Sequence, residues 1–159
     1  MTRKKIGPGG GPVPGTKGKS IADAEVGGST SDQLFTWDAS LMDTGVSDDS
    51  SCGWTWRLEP GELKELMEFL AACSKRTWAE LYADRTGSKN RHKKHHDHDV
   101  SDICQQAQAR LGQLTDESYD KILRLRYGGE KRLWGFRDRA VFHVVWVDLH
   151  HDVYPTDPN

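Results

Sequence analysis

A cluster of basic side chains near the C-terminus has the residue types that bind phosphate. Residues 121–139 contain seven Lys or Arg residues and two acidic ones, whereas residues 38–70 contain two basic and eight acidic residues. A phosphate backbone responds to such a local excess of charge more strongly than to the net charge of the chain, which is −2. The residues expected to contact nucleic acid are Arg124, Arg126, Lys131 and Arg139. Trp134 and Phe136 could stack on bases; alternatively, the basic residues pair with the acidic segment and both rings lie in the core.

A histidine in the apolar run that follows could supply acid–base catalysis. His143 stands between Phe142 and Val144, where a histidine is either a packed core residue or a general acid or base. Arg132 and Arg137 could stabilise the charge of a phosphorane. The catalytic hypothesis is therefore a metal-independent endoribonuclease whose catalytic residues are His143, Arg137 and Arg132. Whether His143 and Arg137 share a strand face depends on the register, which the sequence leaves open.

Four histidines also lie within seven residues: His92, His95, His96 and His98. Imidazole and nearby carboxylates can bind transition metals, so His95, His96 and His98 are candidate metal ligands. However, the charges of Lys93 and Lys94 oppose cation binding, and the HExxH spacing is missing. We therefore expect no metal or cofactor here. The segment is interpreted as a polar loop that caps the next helix, with a basic contact to phosphate as the alternative.

Asp148 follows the apolar run and is expected to accept backbone N–H groups in a turn, where it could also orient His151. The chain has no GxSxG elbow, P-loop or GxGxxG motif. Esterase-type, kinase and dinucleotide chemistry therefore have no support.

The elements that must position these groups can be read from periodicity. Leu34–Trp37 is β-prone, and a helix is expected from Pro60, with Leu63, Leu66, Met67 and Leu70 on one stripe. A capping box at Thr77 predicts a second helix. Further helices are expected over Val100–Leu114 and from Thr115.

Period-two patterns predict strands over Arg132–Arg137 and Val141–Val147, with an edge strand over Leu123–Arg126. Both faces of Val141–Val147 are apolar, which predicts a central strand. Gly135 leaves room for a neighbouring side chain or a ligand. The predicted fold is α+β, with helices packed on one face of a small antiparallel sheet.

Composition sets the domain boundaries. Residues 1–33 are rich in Gly and Pro and are expected to be a disordered tail, followed by a single domain over 34–155 and a frayed end over 156–159. There is no long apolar run or secretory signal, and the three cysteines suit a reduced, cytoplasmic protein. No membrane contact is expected.

Two resemblances add to this interpretation. The C-terminal half resembles a group of small uncharacterised bacterial proteins through the pattern Gly129-x-x-Arg132-Leu-Trp-Gly-Phe-Arg137, then Phe142-x-Val-x-Trp-x-Asp148-x-x-His151-x-Val-Tyr-Pro155. Those proteins also carry a His-rich loop like residues 95–98 and an Ala-x-x-Arg-Leu segment like residues 107–111.

The second resemblance is to the RelE/ParE superfamily of bacterial toxins, through the glycine turn that leads into an Arg-bearing strand at residues 128–137. It implies the order strand, helices, C-terminal meander, and a toxin-like protein acting on RNA or the translation machinery. The implied partners are RNA or the ribosome and an antitoxin protein. The chain departs from the RNA-cleaving branch in lacking a Lys/Arg-rich C-terminal tail. The alternative function is a non-catalytic module that binds protein or nucleic acid.

Overall fold

The computed structural model describes residues 29–45, 53–54, 56–87, 89 and 91–155. Most of the predicted tail and the predicted frayed end, at 1–28 and 156–159, lie outside these residues. Within the last part of the predicted tail, Thr30–Asp32 forms a short 3-10 turn.

Three helices and five strands make up the described fold. The helices are α1 (Pro60–Cys73), α2 (Trp78–Ala83) and α3 (Gln105–Leu114). The strands are β1 (Thr36–Asp38), β2 (His96–Asp99), β3 (Lys121–Gly128), β4 (Lys131–Asp138) and β5 (Val141–Asp148). The chain is therefore α+β, as predicted.

Both predicted helix starts at α1 and α2 are confirmed. Pro60 occupies the first turn of α1, and Thr77 forms a capping box with Glu80 at the start of α2. On α1, however, only part of the predicted apolar stripe is buried, because Leu63 and Met67 are 47% and 39% exposed.

The sheet is mixed, where a purely antiparallel one was predicted. Its strand order is β1-β5-β4-β3-β2, and β1 pairs with β5 in parallel while the other pairs are antiparallel. The parallel pair forms because Phe35 is completely buried beside Trp78 and Phe142. That anchor brings the N–H of Thr36 to the carbonyl of Ala140, along the free edge of β5.

Helices cover both faces of the sheet, so the prediction of one covered face was wrong. Leu66 and Leu70 of α1 pack with Leu123 and Leu125 on one face. On the other face, α3 and the turn before it pack against apolar groups that include Trp134, Phe136 and Trp146. The strands are apolar on both sides, and each side must be removed from water.

Two other predicted elements differ. The polar loop at residues 96–99 is an edge strand paired with β3, so α3 begins at Gln105 and a 3-10 turn fills Val100–Asp102. No helix follows Thr115, because its hydroxyl accepts the N–H of Glu117 in a local turn and β3 begins at Lys121. The predicted edge strand is thus the longer, interior β3.

A bulge in β5 interrupts the alternation of its side chains between the two faces. Trp134 pairs with Trp146 and Gly135 pairs with Val144, so Val145 is an extra residue. Val145 and Trp146 consequently pack on the same side, with α3, whereas Val144 and Val147 pack on the side of α1. Simple alternation fails beyond that point.

We expect Gly135→Ala to destabilise the protein by about 3 kcal/mol, the scale of overpacking in a closed core. A Cβ at Gly135 would lie 2.2 Å from the carbonyl oxygen of His143 and 2.7 Å from the ring of Phe142. Chemical denaturation measures the difference. The matched control is Gly112→Ala in α3, which meets nothing within 4 Å and should be stabilising by about 0.5–1 kcal/mol. Equal effects at both positions would contradict the packing described.

Candidate functional site: an arginine patch on the sheet

Part of the sheet face that carries α3 is lined by basic side chains. His96 pairs with Arg124, and Arg126 pairs with Arg132, so these side chains share that face of the sheet. We call this region the arginine patch; it comprises Arg124, Arg126, Arg132, His96, His98 and His151.

None of the three guanidinium groups forms an ion pair with a carboxylate among the described residues, and those of Arg124 and Arg132 make other polar contacts. Arg124 Nη1 lies 3.1 Å from His151 Nε2. Arg132 Nη1 donates to the carbonyls of Gly129 and Lys131, at 2.7 and 2.9 Å. The Nε atoms of Arg124 and Arg132 are buried without a hydrogen-bond partner, an unusual state for a charged group.

The pKa values of Arg132 and Arg124 are lowered by burial and by the like charges around them. Burial, followed by the charges of Arg124 and Arg126, lowers the pKa of Arg132 to about 10. Burial and then Arg126 also lower the pKa of Arg124. An anion bound among these groups would remove the repulsion, so the patch is electrostatically prepared for a negatively charged ligand.

The histidines of the patch are uncharged near neutral pH. Burial and then Arg124 lower the pKa of His96, and the same two causes bring that of His98 to about 4. Burial and then Arg132 and Arg124 lower the pKa of His151. The His98 ring packs 4.4 Å from Tyr154 and 5.5 Å from Trp134, measured between ring centroids.

Asp148 holds His151 in place through the loop that follows β5. Its carboxylate is fully buried and accepts the N–H groups of Asp152 and Val153, at 2.9 and 3.0 Å, and the indole N–H of Trp134. The predicted turn-capping role of Asp148 is therefore confirmed. His151 adopts a left-handed backbone conformation, with φ of 63°, which turns the loop back over the patch.

Two cavities open on the patch and share Arg126. One, of about 420 Å³, is lined by residues that include Lys93, Lys94, His96, Arg124 and Arg126. The other, of about 550 Å³, is lined by residues that include Arg126, Arg132, His151, Glu130 and Asp152. Cations predominate in the first cavity, and the acids of the second lie at its exposed rim.

The structure does not bring the three predicted catalytic residues together. His143 pairs with Phe136 on the face that carries α3, and its Nδ1 lies 3.2 Å from Asp38 Oδ1. Arg137 lies on the opposite face, where its guanidinium stacks 4.4 Å from the ring of Trp78 and donates to Thr30 Oγ1. Of the three, only Arg132 belongs to the patch.

Of the four residues predicted to contact nucleic acid, two belong to the arginine patch and two do not. Arg124 and Arg126 belong to the patch, but Lys131 forms an ion pair with Glu65 of α1. Arg139 is exposed in the β4–β5 turn with φ of 55°, away from the patch. Trp134 and Phe136 are buried in the core, so neither ring can stack on a base.

The three candidate metal ligands lie on two different sides of the sheet. His95 points to the side opposite His96 and His98, where its Nδ1 accepts the N–H of Arg126 and its Nε2 lies 3.5 Å from Asp84 Oδ2. Among the described residues, no group of three metal-ligating side chains converges.

The sequence analysis did not predict that His96, His98 and His151 lie together beside the arginines. The signal was present, since His96 and His98 alternate with acidic residues at strand spacing. It was masked because the segment was interpreted as a loop, and because the distance from His151 to Arg124 depends on a turn.

Comparisons with family models, curated proteins and solved structures find no match for this chain. Of the helices in the described ranges, none has the length and apolar character needed to cross a membrane. The site must therefore be judged from its own chemistry.

We expect the stability of the protein to fall as the pH is lowered from about 6.5 to about 4. Burial lowers the pKa of His95 to about 4, so in this window the unfolded chain binds a proton that the folded chain does not. Each such histidine contributes a slope of up to about 1.4 kcal/mol per pH unit. Denaturant unfolding at several pH values measures that slope.

His95→Gln should make the slope shallower, because glutamine can still accept the N–H of Arg126 but does not titrate. Unfolding above pH 7.5 isolates the constant packing cost of the substitution. Identical slopes for the wild type and His95→Gln would contradict the burial of a neutral imidazole.

Proposed function

We propose that the protein binds single-stranded RNA through the arginine patch. The observation that carries the proposal is that three guanidinium groups gather on one sheet face and none is neutralised by a carboxylate within the described residues. Arg is the side chain best suited to phosphate, because its planar donors match two phosphate oxygens. A cluster of partly buried guanidiniums that lack carboxylate partners is costly for folding alone, which supports a role in binding an anion.

A ligand with more than one phosphate fits the patch better than a single ion. The two cavities meet at Arg126, and each brings further cations: Lys93, Lys94 and Arg124 on one side and Arg132 on the other. Successive phosphates of one strand could occupy both cavities with Arg126 between them.

Burial favours a single strand over a duplex. Arg132 is only 8% exposed and Arg124 is half-buried, so a phosphate must enter the cavities to reach them. A flexible single strand can do this, whereas a duplex presents its phosphates on a stiff, convex surface.

The RelE/ParE resemblance extends the proposal to a toxin-like protein that acts on RNA or the translation machinery in the cytoplasm, held inactive by an antitoxin. The order of the described elements differs from the implied one, since β2 lies between α2 and α3. Support for the extension therefore comes from the patch. A non-catalytic RNA-binding module is the alternative use of the same surface.

We expect Arg126→Gln to weaken binding of a fluorescently labelled single-stranded RNA by about tenfold, the scale of one charge-assisted hydrogen bond. The slope of log affinity against log salt should fall by about 0.7 for the lost phosphate contact. Fluorescence anisotropy at several salt concentrations measures both quantities.

Lys75→Gln is the matched control, since it removes one positive charge at an exposed position of the α1–α2 connection. It should leave affinity within twofold. Equal weakening in both variants would mean that binding follows net charge alone, and tighter binding of duplex DNA than of RNA would argue against the single-strand proposal.

We further expect expression of the wild-type protein to arrest bacterial growth, and Arg126→Gln to relieve the arrest at an equal level of folded protein. Colony counts after induction, with immunoblots for protein level, measure the effect. Normal growth with abundant wild-type protein would favour the non-catalytic module.

A further inference from the structure

Two histidines of the arginine patch line the two cavities that share Arg126. His96 lines one cavity and His151 lines the other. A phosphate bound at Arg126 would therefore have one imidazole in each adjoining cavity. An in-line displacement at phosphorus uses two such groups, one at the attacking oxygen and one at the leaving oxygen.

The hydrogen bonds define which nitrogen of His96 is free. Its Nε2 lies 2.6 Å from the carbonyl of Lys93, and a carbonyl can only accept. Nε2 therefore carries the hydrogen, and Nδ1 of the neutral ring keeps a lone pair. His96 is thus in the form that can take up a proton.

The opposite assignment holds for His151. Its Nε2 lies 3.1 Å from Arg124 Nη1, and a guanidinium can only donate, so Nε2 accepts that N–H. When Arg124 turns its N–H to a phosphate, His151 Nε2 is released. Burial, followed by the charges of Arg132 and Arg124, lowers the pKa of His151, and a bound anion offsets those two charges, so substrate binding favours the protonated ring.

We propose that the arginine patch cleaves RNA by internal transesterification, with His96 as general base and His151 as general acid. The proposal rests on RNA binding at the same patch. The 2′-oxygen attacks the adjacent phosphorus and its proton passes to His96 Nδ1. The bond from phosphorus to the 5′-oxygen breaks, and that oxygen takes its proton from His151 Nε2. The products are a 2′,3′-cyclic phosphate and a free 5′-hydroxyl, and the step consumes no co-reactant.

The arginines stabilise the charge that develops on the phosphorane. Arg126 lines both cavities and forms no ion pair with a carboxylate among the described residues, and the buried Nε of Arg124 has no hydrogen-bond partner. Preorganised donors of this kind act where charge appears in the transition state. His98 is not assigned a proton transfer, because its ring packs between Tyr154 and Trp134.

The test uses the full chain, a labelled single-stranded RNA and a buffer containing EDTA, with RNA affinity measured in parallel. At RNA concentrations that saturate each protein, His96→Gln and His151→Gln should each cleave about 10²–10⁴-fold more slowly than the wild type. Mass spectrometry should find the cyclic phosphate. An RNA with a 2′-O-methyl group at every position should bind and remain intact.

An RNA with a modified leaving group distinguishes the role of His151 from that of His96. A 5′-thiolate leaves without a proton, so RNA with sulfur in place of the bridging 5′-oxygen should restore cleavage by His151→Gln but not by His96→Gln. A merely structural role for either residue would not produce this difference. The rate of the wild type should also depend on pH in a bell-shaped manner, losing its acidic limb in His96→Gln and its alkaline limb in His151→Gln.

Several outcomes overturn the assignment. If the wild type binds RNA but does not cleave it, the patch is a binding site only and the proposed function survives without catalysis. If His96→Gln and His151→Gln cleave like the wild type while His143→Gln loses activity, the chemistry lies near Asp38 instead. If the wild type does not bind RNA, both the proposed function and this inference fail.

Discussion

The buried carboxylate of Asp148 is the interaction on which the arginine patch depends. A carboxylate with no solvent exposure is tolerated only when hydrogen bonds replace its water, and Asp148 obtains them from Trp134 and from the backbone of Asp152 and Val153. Those bonds tie the end of β5 to the loop that follows. They seat Val153 in the core and leave His151 against Arg124. Without them, the loop that closes one side of the patch would lose its direct connection to the end of β5.

The patch itself exists because α3 covers only part of its sheet face. Ala107 and Leu111 pack over the apolar part, with Trp134 and Trp146. The next residues along β3 and β4 on that face are arginines, whose like charges repel each other. Burial, followed by the charges of Arg124 and Arg126, lowers the pKa of Arg132 to about 10. Such a cluster opposes folding, and its persistence in an otherwise well-packed sheet is typical of a binding surface. Within the described residues, the acidic segment forms no ion pair with the arginines of the patch; Glu65 pairs with Lys131 and Asp43 pairs with Arg110.

Local signals in the sequence predicted local features well. The capping box at Thr77, the proline at the start of α1, the central strand β5 and the turn at Asp148 all depend on a few neighbouring residues. Features that depend on distant pairing were missed. His96–Asp99 is too polar to be recognised as a strand, and it becomes one because β3 offers a free edge. The bulge at Val145 is likewise a property of two strands together.

For the site, the types of side chain available follow from the sequence: an excess of arginine and histidine near the C-terminus, and an acidic residue placed to cap the final turn. Which of these groups meet depends on the fold. It placed Arg137 on Trp78 and His143 on Asp38, and it brought His96 and His151 to Arg124 and Arg126 instead. The physical reason is that a strand presents alternate residues to opposite faces. The residue types of a site can therefore be read from the sequence. Which residues belong to the site depends on strand register and on the turns that return the chain to the sheet.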